Sequence, residues 1–111
     1  MVDDCIFCKI IAGDIPSSKV YEDEEVLAFL DISQVTPGHT LVVPKKHARN
    51  LLEMDETATA QLFARVSKVA KKVEAATQAK GMNVISYMEE VSGQTVFHTH
   101  VHIIPRYSDQ D

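Results

Sequence analysis

The sequence has no excess of positive charge, no apolar run of membrane length, no internal repeat and only two cysteines, and each shortage removes a class of function. Its 16 acidic residues outnumber 11 basic ones, for a net charge of -5 with histidine neutral. The lysines are dispersed or paired, whereas a nucleic-acid groove or an anionic membrane surface calls for a basic patch. Nucleic acid and membrane are therefore not expected partners, while a small anionic ligand, which needs only a few local donors, is compatible with this balance. No stretch approaches the roughly 18 apolar residues of a membrane span. Met1-Val2-Asp3-Asp4 lacks the basic start and apolar core of a secretion signal, so the cytoplasm is the expected compartment. Cys5 and Cys8 are separated by two residues, a spacing that suits a metal or a redox pair better than a structural staple.

What is present is a chain of 111 residues, enough for one domain with a real core and too short for two. Ile6, Phe7, Ile10 and Ile11 recur at helical spacing and Gly13 supplies a stop, which predicts a short helix over 4–12. Strands are expected at 19–22 and 25–31, joined through Asp23-Glu24 as a tight hairpin. In the second of these Val26, Ala28 and Leu30 alternate with Leu27 and Phe29, so both faces are apolar and both need cover. A third strand is expected from His39 to Val43, ended by Pro44. Asp55 is a good helix cap, Glu56 suits the positive end of the dipole, and Gly81 is a good stop. Between them Leu62, Val66, Val69, Val73 and Ala76 form one apolar stripe, which Phe63 and Ala70 widen in a way that would also suit a second subunit. Strands at 83–88 and 96–104 complete the chain, with Pro105 as terminator. The fold class predicted is α+β: a five-stranded antiparallel sheet, a meander followed by a final hairpin, with one long helix on one face and a short N-terminal helix.

Three of the five histidines, His98, His100 and His102, stand at two-residue spacing in the last strand. On an extended chain they share one face at intervals of about 6.6 to 6.8 Å. Burying three imidazoles together without partners would cost several kcal/mol, so the face should meet water, a ligand or a metal. Strand histidines can converge on a zinc ion that keeps an open position for hydrolysis. Equally, Gly93-Gln94-Thr95 supplies a flexible turn, an amide and a hydroxyl just before the row, which suits a phosphate. Spacing alone favours phosphate only slightly.

The segment from Gly93 to Arg106 resembles the signature of the histidine triad (HIT) family of nucleotide hydrolases and transferases. The likeness extends through Cys5 to Ile11, Leu27 to Ser33, Pro37 to Lys45 and His47, and it is greatest to the branch of small purine nucleoside phosphoramidate hydrolases. The resemblance implies a single HIT domain over 1–111 that binds an AMP-type purine nucleotide and pairs as a homodimer through the long helix and a neighbouring strand. It implies that His100 attacks the α-phosphorus, that His102 contacts the phosphate oxygens, that His39 supports the triad, and that Thr95 protonates or binds the leaving group. Gln94 would help to bind phosphate and Asp31 would hold the ribose hydroxyls. Phe7, Ile10, Ile15, Phe29 and Ile32 would surround the base. A subset of the family binds a structural zinc through four residues that match Cys5, Cys8, His47 and His98. Two departures stand out: Tyr87-Met88-Glu89 replaces an asparagine-rich segment, and the chain stops at Asp111 where this branch continues into a tail. A nucleotide-binding regulatory module with weak catalysis, a dinucleoside polyphosphate hydrolase, and a hydrolase whose zinc is held by the triad itself are the alternatives.

Overall fold

Alternation of apolar residues along the strands decides which side of the sheet each helix can cover. The computed structural model describes residues 4–111, so the Met1–Asp3 part of the segment read for a secretion signal lies outside the described residues. A short helix α1 (Ile6–Ala12) is followed by β1 (Lys19–Glu22), β2 (Val26–Leu30) and β3 (Thr40–Pro44), a three-strand meander. The long helix α2 (Glu56–Thr77) then crosses the sheet to its far edge, where β4 (Gly81–Ile85) runs, and β5 (Val101–Arg106) returns into the gap beside β3. The strand order is β1-β2-β3-β5-β4, and every neighbouring pair is antiparallel. Among the described residues no helix is long and apolar enough to cross a membrane.

Val26 and Ala28 of β2, Val42 of β3, and Val101 and Ile103 of β5 pack against Leu62, Val66, Val69 and Val73 of α2. Each buried Val, Leu or Ile contributes about 1.5–3 kcal/mol, so the stripe on α2 is core from Leu62 to Val73, as its spacing predicts, while Ala76 at its end is exposed. Leu27, Phe29, Leu41 and Val43 face the opposite way, onto Cys5, Phe7 and Cys8 around α1. Both faces of β2 are thus covered. Because Val101 and Ile103 face α2, the same parity sends His102 to the α1 side.

Several boundaries differ from expectation, each for a local reason. Helix α1 starts at Ile6 because Cys5 is its cap, the thiol accepting the Cys8 N–H at 3.4 Å. Asp55 caps α2 through the Ala58 N–H at 2.8 Å, but the helix stops at Thr77: Gln78 takes the left-handed cap conformation, φ 58°, and Gly81 opens β4 instead. β4 ends at Ile85, since Ser86 turns its hydroxyl onto the carbonyl of His100 at 2.8 Å. β5 begins at Val101 rather than Val96, and it runs through Pro105 instead of ending there. Pairing with β3 finishes at Thr40 and Ile103, so the missing N–H of Pro105 falls where that ladder has already ended. On the other side Lys80 N–H still donates to Arg106 at 2.9 Å.

The β1–β2 hairpin is organised by Asp23, whose carboxylate accepts the N–H groups of Glu25 and Val26 at 2.8 and 2.9 Å. The Tyr21 hydroxyl and Arg65 of α2 also donate to it, at 2.7 and 2.9 Å, which ties helix to hairpin. Burial works against the charge, but these four donors together hold the Asp23 carboxyl well below the usual carboxylate range.

Candidate functional site

Only His102 of the histidine row lies in the β5 ladder, opposite Leu41 and Ile85. His98 to His100 form an irregular approach, anchored where Thr99 donates its N–H and its hydroxyl to the carbonyl of Ala48 at 2.8 and 3.1 Å. The row therefore bends, and its members meet different surroundings. His98 is fully buried and donates from Nε2 to the Pro44 carbonyl at 2.8 Å. Its Nδ1 lone pair then faces Cys5 Sγ at 3.4 Å, Cys8 Sγ at 3.6 Å and His47 Nδ1 at 3.2 Å, while Cys8 Sγ lies 3.5 Å from His47 Nδ1. With zinc–sulfur and zinc–nitrogen bonds of about 2.3 and 2.0–2.1 Å, the edges of a tetrahedral site measure roughly 3.3–3.8 Å. The four groups are thus positioned to bind one metal ion, as a closed set. Burial pushes the Cys5 thiol up, partly offset by the Cys8 N–H, so metal binding there must displace protons.

The hydrogen-bond network assigns the tautomers of the other histidines. His100 donates from Nδ1 to the carbonyl of His98 at 2.7 Å, which leaves its Nε2 as a bare lone pair. The Val35 N–H donates to Nδ1 of His39 at 3.1 Å, so the proton of His39 sits on Nε2 and is donated to Nδ1 of His102 at 2.9 Å. His102 in turn carries its proton on Nε2. Two rings with centroids 5.1 Å apart therefore differ in kind, one offering an electron pair and the other an N–H. Asp31 stands 3.6 Å from His39 Nε2, a charge contact and not a further hydrogen bond. Asp31, His39 and His102 also gather closely enough to suggest a metal. Their 2.9 Å nitrogen separation is shorter than the roughly 3.3 Å edge of a tetrahedral site. Since the bridging nitrogen already carries a proton, His39 and His102 form a hydrogen-bond relay with Asp31 beside it.

Burial is the leading cause of the low proton affinity of this whole group. It pushes His98 down to about 4, and His102 down to about 4 with help from His100 and His39. His100 and His39 are lowered for the same first reason, against the opposing pull of Asp31. Neutral imidazole is the resting form throughout.

A cavity of about 870 Å³ opens between α1, the end of β2 and the segment before His98. Phe7, Ile10, Phe29 and Leu41 line it with apolar surface, and Asp31, Thr95, His100 and His102 supply its polar groups. Ile32 also lines it, as an almost wholly exposed rim residue. Two of the expected site residues stand outside the cavity lining. Ile15 does not line the cavity; it is half-buried in the turn after α1, where its N–H reaches the Lys9 carbonyl. Gln94 is buried with every side-chain group engaged, so it has no free group for a phosphate. Its Nε2 donates to the carbonyls of Arg49 and Val96 at 2.6 and 3.0 Å, and its Oε1 accepts from Asn50 and the Glu89 N–H at 3.1 and 2.8 Å. Gln94 instead shapes the segment that delivers Thr95.

The loop before that segment holds a residue in a conformation that only glycine adopts readily: Glu89, at φ 77° and ψ 158°. Its carboxylate accepts from Arg49 at 2.8 and 3.0 Å and from Asn50 at 2.7 Å, and Arg49 lies 4.2 Å above the ring of Phe97. This clamp joins the loop after His47 to the loop that carries Tyr87 and Thr95. Leu41 could have been found from strand parity beside Phe29. Nothing in the sequence marks Val35, whose role is played by its backbone, or the Arg49–Glu89 pair.

The HIT domain matches residues 12–109 of the chain. The protein hit of Bacillus subtilis is 56% identical over 109 residues, covering 98% of this chain and 75% of that protein. The crystal structure of SMU.412c from Streptococcus mutans superposes with a TM-score of 0.96 at 63% identity, covering all of this chain and 71% of the other. The adenylylsulfatase HINT3 of Arabidopsis thaliana is 38% identical over 104 residues, covering 94% of this chain and 53% of that protein.

Because His102 holds its proton more weakly folded than unfolded, the unfolded chain takes up a proton first as pH falls below about 6.5. The stability this group supplies is complete above that pH and is lost progressively toward 4. The melting temperature of the wild type should fall more steeply between pH 7 and 4.5 than that of His102→Asn, measured by calorimetry in the same buffers. Parallel curves would contradict the assignment of a buried neutral imidazole.

Proposed function

Because the chain belongs to the HIT family, we propose that it is a nucleotide hydrolase or transferase acting on the α-phosphate of purine nucleoside phosphoramidates or related nucleotides. The observation that carries this reading is the pairing of a lone pair on His100 with an N–H on His102 at the wall of one cavity. Nε2 of His100 bonds to the α-phosphorus, the bond from phosphorus to the leaving amine breaks with its electron pair, and Thr95 supplies the proton that the amine takes. His102 donates to a phosphoryl oxygen, whose charge its fixed N–H stabilises without reorganisation. Water then adds to phosphorus and gives up a proton that restores the Thr95 hydroxyl, the bond to His100 breaks, and a nucleoside monophosphate leaves. Phe7, Ile10 and Phe29 enclose the base, and Asp31 accepts the ribose hydroxyls. The relative in Arabidopsis, named an adenylylsulfatase, supports a reaction at an adenylyl phosphorus. Purified protein should release AMP from adenosine phosphoramidate, and His100→Ala should lower turnover by about a thousandfold or more with the fold retained. Unchanged turnover in that variant would exclude the mechanism, and tight AMP binding without any turnover in the wild type would favour a regulatory module.

Cys5, Cys8, His47 and His98 hold a structural zinc in this reading, since two thiolates and two imidazoles suit that ion and leave no position for water. The triad does not share one metal: His98 points to the cysteines, His100 to a carbonyl and His102 to His39. Mass spectrometry of the native protein should find one zinc per chain. Chelation should lower the melting temperature by about 10 °C or more. Chelation that leaves melting unchanged would remove the structural role.

The outer edge of β4 is open in the sheet order, Val84 on it is half exposed, and Phe63 is exposed on α2. The protein is read as a homodimer paired through these elements, which would cover an edge that otherwise invites aggregation. Sedimentation equilibrium should give twice the chain mass, and Val84→Glu should give the monomer. A monomeric wild type at micromolar concentration would refute the pairing.

A further inference from the structure

We propose that Tyr87 is the specificity-determining residue on the leaving-group side of the transfer site, where its ring selects phosphate substituents carrying a flat apolar group; this rests on the hydrolase reading above. Four rings form a continuous row. Phe7 and His100 have centroids 5.0 Å apart, His100 and His102 5.1 Å, and His102 and Tyr87 5.6 Å. Phe7 marks the nucleoside end, for it lines the large cavity together with Phe29 and Asp31. Tyr87 closes the opposite end and does not line that cavity. Attacking and departing groups lie roughly in line at a transferring phosphorus. The departing group lies opposite Nε2 of His100, and with the nucleoside at the Phe7 end a substituent on it has the Tyr87 end of the row beside it.

The ring is held firmly enough to discriminate. It meets His102 edge-on at 73°. Its other support is Gly93, at φ 112°, where an added Cβ would stand 3.4 Å from Cδ1 of Tyr87. Two residues further along the chain, Glu89 is fastened to Arg49 and Asn50, which fixes the turn that carries the ring. Tyr87 is only half-buried, so ring surface is left for a ligand. It also stands where the resemblance places an asparagine. An amide there would offer hydrogen bonds, whereas this ring offers an apolar plane with a quadrupole, suited to stacking or edge contact with another flat group.

The test compares two adenosine 5′-phosphoramidates that differ only in the amine, one unsubstituted and one bearing an arylalkyl group. The wild type should prefer the arylalkyl compound in kcat/KM, and Tyr87→Ala should shrink that ratio by about fivefold or more, the scale of one aromatic contact. Tyr87→Phe should keep the ratio, because the ring and not the hydroxyl makes the choice. An unchanged ratio in folded Tyr87→Ala overturns the proposal. If that variant does not fold, Tyr87→Leu, which keeps apolar bulk without a flat ring, takes its place. If the wild type turns over neither compound, the hydrolase reading fails while Tyr87 remains testable from calorimetric Kd values of the same two compounds. A wild-type affinity ratio that narrows in Tyr87→Ala then supports the role of the ring, and equal wild-type affinities overturn it.

Discussion

The hydrogen bond from Nδ1 of His100 to the backbone carbonyl of His98 is the interaction on which the candidate chemistry depends. It places the proton of His100 on the buried side of the ring and so leaves the lone pair on the cavity side. It also couples two sites through one residue: the side chain of His98 belongs to the cysteine cluster, while its carbonyl orients His100, the proposed nucleophile. The donation from His98 Nε2 to Pro44 adds a third tie, fixing the ring from the β3 side. A shift of His98 would therefore disturb the cysteine–histidine cluster and the orientation of His100 together.

The period of the last strand and the apolar stripe of α2 were legible because each depends on alternation along the chain. His102, Val101 and Ile103 sort onto two faces as that alternation requires. The start of β5 was not legible, because Thr99 is claimed by the carbonyl of Ala48, a contact made across 51 positions of sequence. Pro105 reads as a terminator in isolation, yet it is tolerated where β3 has run out. The surroundings of Gln94 were not legible for a related reason: an amide beside a turn looks available until tertiary structure supplies four partners for it. Ile15 and Ile10 are alike in composition and differ only in which side of the α1 cap they occupy.

Backbone strain and charge are paired in the loop that faces the histidines. A non-glycine residue at the φ and ψ of Glu89 costs about 1–3 kcal/mol, and that conformation persists only where the surroundings over-determine it. Here they do, through three hydrogen bonds to the carboxylate and one to the N–H. Arg49 lowers the proton affinity of Glu89, its first cause, so the carboxylate stays charged and the clamp stays closed across the neutral range. Thr95, which lines the cavity, and the candidate Tyr87 beyond it are thus carried by a segment with little freedom to move, which suits a reaction governed by positioning.

The relay from Val35 through His39 to His102 solves a problem that adjacent histidines create for themselves. Two neutral imidazoles side by side can each adopt either tautomer, and a site that mixed them would present the wrong group half of the time. A backbone N–H is the one donor whose proton cannot be moved to the other partner, so Val35 sets the tautomer of His39, which sets that of His102. The carbonyl of His98, which can only accept, sets the opposite tautomer in His100. Burial keeps all of them neutral, and neutrality is the condition under which such fixed orientation has meaning: a protonated ring would donate from both nitrogens and erase the difference between the two sites.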